Sequence, residues 1–414
     1  MRLRPDRTTS LLAAILIPLI LGTVVGLFVL WPTGDPPATG IVSLDAEYPT
    51  ARVLETDTER CAGTTEVRLP DGEVPESIEC VVVLAEVINT SAAGRVVEVY
   101  APATLGPGDV SVGTRIVLTR YLATDTDPEL YVWYDFARTI PLGVLAVVFA
   151  ALVIAVAGLR GLRALIGLVL AFGVIATFML PALLQGEDPL MVGLVGSAAI
   201  MFVVLYMAHG FSRRTTTALL GTFAGLAVTA TLGVIAASAA RLTGITTEDH
   251  YRLAMLTGNL DGDGLRGIFI AGVILAGLGV LNDVTITQAS AVWELRASDP
   301  NASWRTLFGR GMRIGRDHIA STVYTIAFAY AGASLPILLL LEVYQLPLLQ
   351  TISSGEFAEE IARTLVGSIG LVLAIPLTTA IAAVVAVAAP PGARHTLAED
   401  GAGHSHGGHG HAGA

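Results

Sequence analysis

An α-helical polytopic membrane protein of about eight transmembrane helices, with a small extracytoplasmic β domain between the first and the second, is the architecture this chain predicts. Three observations carry that reading. Of 414 residues, 53% are hydrophobic and only 14% charged, with mean hydropathy +0.68. Several apolar runs reach the length that a spanning helix needs. One block near the N-terminus is, by contrast, polar, acid-rich and strand-like.

Residues 1–10 carry Arg2, Arg4 and Arg7 and read as a cytoplasmic N-terminus. Residues 11–31 hold no charge. The run is longer than the apolar part of a signal peptide, and no convincing A-x-A site follows, so it reads as an uncleaved anchor. A Pro/Gly linker, WPTGDPPATG, follows from Trp31. Residues 32–138 are the β domain, with strand-like runs at 77–87, 95–100, 115–121 and 130–134 separated by turn residues. That block has 18 acids and 7 arginines, which makes it a solvated exterior domain or a cation-binding face. Its two cysteines, Cys61 and Cys80, are the only ones in the chain. They form a disulfide if the domain lies outside the cytoplasm, or are two separate buried thiols.

Residues 139–389 read as a seven-helix membrane domain. Spans are expected at 140–159, 164–184, 190–208, 215–240, a sixth built on the apolar run 267–281, then 317–341 and 361–389. Residues 390–414 are a Gly/His-rich cytoplasmic tail. With eight spans, the inner segments hold 13 arginines and 5 acids, whereas the outer ones hold 11 arginines and at least 26 acids. Every short loop then obeys the positive-inside rule. This predicts a cell-membrane protein with both termini cytoplasmic and the β domain outside.

The sixth span organises the rest. Its 15-residue apolar run covers only roughly 22 Å of a ~30 Å hydrocarbon core. The helix must continue through Asn282, Asp283, Thr287 and Gln288. At 100° per residue, Gly272, Ala276, Gly279, Asp283, Thr287, Ser290 and Glu294 share one stripe. Small residues there admit a neighbour, and a carboxylate within the membrane needs water or a partner. Asp283 is therefore the leading ligand for a proton or cation, with Asn282, Thr287, Gln288, Ser290 and Glu294 in support. A structural ion pair or a position at the inner interface is the competing role for it.

On the seventh span Asp317, Ser321 and Tyr324 share a side, and Asp317 could instead pair locally with Arg313 or Arg316. Tyr330, Ser334 and Pro336 mark an irregular segment. On the eighth, Arg363 either pairs with Glu360 or reaches toward a carboxylate of the sixth or seventh.

With these residues in view, the chain resembles the YibE/F-like family of multispanning membrane proteins. The matching pieces are Asp135-Phe-Ala-Arg138, Leu242-Thr-Gly244, Gly277-x-Gly279-x-x-x-Asp283 through Ser290 and Glu294, and Gly311-Met-x-Ile-Gly-Arg-Asp317. They continue with Ala329-Tyr-Ala-Gly-Ala-Ser-Leu-Pro336, Glu360-Ile-Ala-Arg363 and Gly367-Ser-Ile-Gly370 through Pro376. The resemblance implies the multispanning fold and weight on spans six to eight; it implies no substrate or reaction.

The tail carries His404, His406, His409 and His411, which would bind Zn²⁺ or Ni²⁺ or form a low-complexity end with no metal role. No HExxH or phosphate-loop motif occurs, so the chain reads as a non-enzyme that needs no cofactor and binds no nucleic acid. The expected function is a transporter or permease-like protein with a polar intramembrane site on spans six to eight. The alternative is a non-transporting envelope protein whose exterior domain binds a protein or cell-wall partner.

Overall fold

The computed structural model describes residues 7–34, 46–69, 71–123, 128–257, 262–345 and 347–389. The histidines of the tail lie outside these residues. The chain divides into two compact units, residues 39–152 and residues 1–38 with 153–414.

The smaller unit is a six-stranded antiparallel sheet: β1 (Ala46–Glu47), β2 (Thr50–Ala62), β3 (Ser77–Val87), β4 (Val96–Tyr100), β5 (Arg115–Tyr121) and β6 (Leu130–Phe136). The order is β1-β5-β2-β3-β4, with β6 on β5. Period-two alternation on β3 buries Val81, Val83, Ala85 and Val87 against Val53, Ile116, Leu118 and Trp133. Four of the strands coincide with the expected runs. The longest partner strand, β2, was not among them, because beyond Val53 its side chains are nearly all polar or charged. Its long register with β3 is main-chain hydrogen bonding, which such a side-chain pattern does not advertise.

The sheet's charges are internally matched around Arg120. Its guanidinium donates to Glu129 at 2.6 Å and to Glu47 at 2.7 Å. Arg95 pairs with the same Glu129, and the Tyr131 hydroxyl donates to it at 2.9 Å. Arg120 first, then Tyr131, holds the Glu129 carboxyl down at about 2. Cys61 on β2 and Cys80 on β3 form a disulfide, with their Cα atoms 5.8 Å apart.

The larger unit is helical: α1 (Arg7–Val29), α2 (Thr139–Val174, its first part in the smaller unit), a π turn (Ile175–Met179), α3 (Leu180–Leu184), α4 (Pro189–His209), α5 (Arg213–Ala239), α6 (Glu248–Thr257), α7 (Gly262–Ser298), α8 (Trp304–Ala333), α9 (Leu335–Tyr344), α10 (Leu348–Ile352) and α11 (Gly355–Ala388). Among the described residues, six helical stretches are long and apolar enough to cross a membrane: 8–29, 139–184, 189–209, 213–239, 264–298 and 355–388. The expected second and third spans fall on the one 46-residue stretch. A straight helix of that length would be roughly 69 Å long, about twice a hydrocarbon core. It is broken at Gly158, whose backbone is left-handed (φ 58°). Beyond the break the chain doubles back so tightly that a Cβ on Gly161 would sit 2.5 Å from the Val153 carbonyl oxygen.

The expected seventh span is not among the six. Its apolar half carries Ser321, Thr322, Tyr324 and Thr325, and the helix stops at Ala333. Ser334 caps it, and Pro336 sits in the first turn of α9, where a missing N–H costs nothing. This is the irregularity expected around Tyr330, Ser334 and Pro336.

Helices α5, α7 and α11 form the core of this unit, packed through small residues. Gly221 and Gly225 of α5 face Thr378 and Ala374 of α11, and Gly370 of α11 faces Thr229 of α5. Backbones that close gain dispersion contacts, the main attraction available between helices in lipid. Two hydroxyls in this core are satisfied, one across it and one locally: Thr222 and Thr285 hydrogen-bond at 2.7 Å, and Thr229 donates to the Gly225 carbonyl at 3.0 Å.

Candidate functional site

The α7 stripe runs along the outside of the described bundle. Val273, Ile274, Leu278, Leu281, Val284, Thr285 and Gln288 are buried toward α4, α5, α8 and α11. Ala276, Gly279, Asp283, Thr287 and Glu294 are exposed, and Gly272 and Ser290 are half-buried. A Cβ placed on Gly279 would meet nothing within 4 Å. Among the described residues Asp283 has neither an ion pair nor a hydrogen bond. Ser290 turns its hydroxyl back onto the Ile286 carbonyl at 2.7 Å.

Gln288 departs from its expected place. It points away from the stripe into the contact with α8, where its amide donates to the Gly311 carbonyl at 2.8 Å. Gly311 and Gly315 of α8 make that contact possible: Cβ atoms there would meet Thr379 at 2.8 Å and Ile375 at 2.6 Å. The Gly311-x-x-x-Gly315 spacing is thus the seam along which α8 docks on α7 and α11. A buried amide bonded to a backbone carbonyl pins that seam, so Gln288 has a packing role here.

The same seam sets the depth of the polar groups. Helices α7 and α8 run antiparallel, since Val292 and Gln288 face Gly311 while Gln288 also faces Gly315. Asp283 lies five residues beyond Gln288, about 7.5 Å along the helix, and Asp317 and His318 lie a comparable distance beyond the glycine pair. Asn282 Oδ1 and His318 Nε2 are both buried with no hydrogen-bond partner among the described residues. By helix rise, Asn282, Asp283, Asp317 and His318 therefore stand at about one level along the α7–α8 hairpin. Asp317 and Tyr324 are exposed on α8, with Tyr324 stacked on Phe328. No group of three His, Cys, Asp or Glu side chains among the described residues has metal-holding geometry.

Arg363 sits at the other end of the stripe. It pairs with Glu360 at 3.4 Å, lies 5.2 Å above the Phe269 ring and brings a guanidinium nitrogen to Gly272. Asp283 is eleven residues further along α7, roughly 16 Å away, so the two do not pair.

One acid escaped the sequence reading. Glu359 on α11 is buried, and its carboxylate accepts the Gly244 N–H and the Thr246 hydroxyl, each at 2.9 Å. Gly244 has φ +74°, and a Cβ there would lie 2.4 Å from the Leu265 carbonyl carbon. Arg266 donates to the Leu242 carbonyl at 3.0 Å. The Leu242-Thr-Gly244 motif is thereby a clasp joining the α5–α6 loop to α7 and α11. In the sequence Glu359 is one of three acids close together, with Glu356 and Glu360, and nothing local sets it apart.

The family model described as YibE/F-like protein matches residues 145–388, well over half of the chain. No curated protein and no solved structure matches it.

Proposed function

The chain belongs to the YibE/F-like protein family, and from that premise we propose that it is a transporter or permease-like protein whose translocation path follows the α7 stripe. The observation that carries the reading is Asp283, a carboxylate with no partner among the described residues, on the 35-residue spanning stretch of α7 and set on a stripe without large side chains. A charge near the centre of a spanning helix costs roughly 2.5–3.5 kcal/mol or more unless it faces water or a partner. Asn282, Asp317 and His318 stand at its level as further polar groups, and Thr287 extends the polar stripe. Asp283 takes the role of proton or cation ligand, and Glu294, Ser290 and Thr287 form the basic-loop end of the path. In this reading the protein lies in the cell membrane with both termini cytoplasmic and the β unit outside.

A second reading has one observation in its favour. Glu55, Asp57, Glu59 and Glu98 line a groove of about 280 Å³ on one face of β2, β3 and β4. Such a face suits a basic protein or cell-wall partner, with the helices serving as scaffold.

Reconstituted wild type and Asp283→Asn, tested for current after pH and cation jumps, separate the two. A current lost in the folded mutant supports the path. An unchanged current in Asp283→Asn removes Asp283 from it, and loss of cellular function on deleting residues 41–135 alone favours the second reading.

A further inference from the structure

A groove of about 540 Å³ runs between α1 and α4. Its walls are almost wholly apolar: Ile20, Val24 and Leu27 from α1, Leu170 from α2, and Phe202 and Val203 from α4. Tyr206 and Phe211, stacked with ring centroids 4.5 Å apart, close one end. That end is where the arginines gather. The second half of α2 runs antiparallel to α4, with Gly167 against Val204 and Met207 and Met179 against Gly196. Continuing one or two turns back along α2 brings Arg163 and Arg160 to the level of Phe211. Arg213 and Arg214 follow Phe211 after the single residue Ser212, which caps α5, and open that helix. Arg160 and Arg214 both act electrostatically on the His209 ring, which places them around one spot.

Arg160, Arg163 and Arg214 have no counter-charge among the described residues. No acid occurs in residues 160–163 or 209–214. Among the described residues, Arg160, Arg163 and Arg214 form no ion pair, and Arg214 Nε is buried with no acceptor. Arginine suits a phosphate because its planar fork donates two parallel hydrogen bonds. A dry apolar trough that ends in unneutralised arginines has the two-part chemistry of a phospholipid: acyl chain along the trough, phosphate at its mouth.

We propose that the α1–α4 groove with Arg160, Arg163 and Arg214 is a binding site for one anionic phospholipid. The full chain would be purified in a neutral detergent and titrated by native mass spectrometry. The probes are phosphatidylglycerol, phosphatidylcholine and inorganic phosphate. One phosphatidylglycerol is expected to bind more tightly than phosphatidylcholine. Arg163→Gln and Arg214→Gln each lower that preference by roughly fivefold. Val24→Trp fills the trough at an exposed position and weakens both lipids. Arg305→Gln with Arg313→Gln, at the other basic segment, leaves the preference unchanged.

Equal binding of the two lipids overturns the proposal. So does equal loss from the Arg305/Arg313 control, which reduces the effect to general surface charge. Tight binding of inorganic phosphate that Val24→Trp does not affect assigns the arginines to free phosphate instead. Should Arg214→Gln fail to fold, the exposed Arg163 and Val24 variants still decide the matter.

Discussion

Glu359 accepts the main-chain N–H of Gly244 at 2.9 Å across 115 positions of sequence. Its second oxygen takes the Thr246 hydroxyl. Removing the carboxylate leaves a buried N–H without an acceptor, at a cost of about 1–3 kcal/mol. Glu359→Ala is therefore expected to lower the thermal midpoint of the purified protein clearly, and Glu359→Gln less, since its amide oxygen still accepts. Gly244→Ala should cost at least as much, because it adds left-handed strain to a clash with the Leu265 backbone. Midpoints of all three equal to wild type would remove the clasp from the account of stability.

The α7–α8 seam predicts a graded response. Gly315→Val forces a branched side chain against Ile375 and the Gln288 amide. Overpacking of this kind costs roughly 1–3 kcal/mol. Gln288→Leu removes only one hydrogen bond and leaves a buried carbonyl, so the loss should be smaller. Cross-linking between cysteines placed at Ala291 and Met312 reports the separation directly: its yield should fall in Gly315→Val and persist in Gln288→Leu.

Acid should loosen the β unit through Glu129. Its folded carboxyl titrates at about 2, against an ordinary value of 4.5, chiefly because Arg120 bonds to the charged form. A depressed carboxyl contributes stability that is present above the ordinary value. That contribution is lost as pH falls from about 4.5 toward 2. Fluorescence of Trp133, with the other three tryptophans replaced by Phe, follows the sheet's core. Denaturation midpoints should fall across that window in wild type and change much less in Glu129→Gln.

The disulfide joins residues 19 apart. On the chain-entropy model, closing a loop of this size stabilises by about 3 kcal/mol. Reduction, or Cys61→Ser with Cys80→Ser, should shift the same Trp133 transition to lower denaturant. The long register between β2 and β3 is expected to survive at neutral pH in the absence of denaturant. A transition that does not move on reduction would assign the loop's stability to the ladder alone.

The apolar helical stretches, apart from the expected seventh span, and four of the strands were legible because each depends on a local quantity. Transfer of a side chain into lipid adds up residue by residue, and a half-buried strand shows itself as alternation. The same logic explains what escaped. Strand β2 is held by main-chain bonds to β3 beneath a polar, acid-rich face, so its own side chains say little. Gln288 and Thr287 are neighbours on one helix, and nothing local distinguishes the one that pins α8 from the one left open.

Composition and order alone show apolar helices of membrane-spanning length beside a polar β unit, and that α7 carries a stripe of small and acidic residues. Tertiary structure alone decides which way that stripe faces, that Glu359 is a clasp, and that three arginines crown an apolar trough. The reason is physical. Burial in lipid is a sum over single residues, whereas a partner's identity depends on atoms tens to hundreds of positions away, brought together only by the packing of the helices.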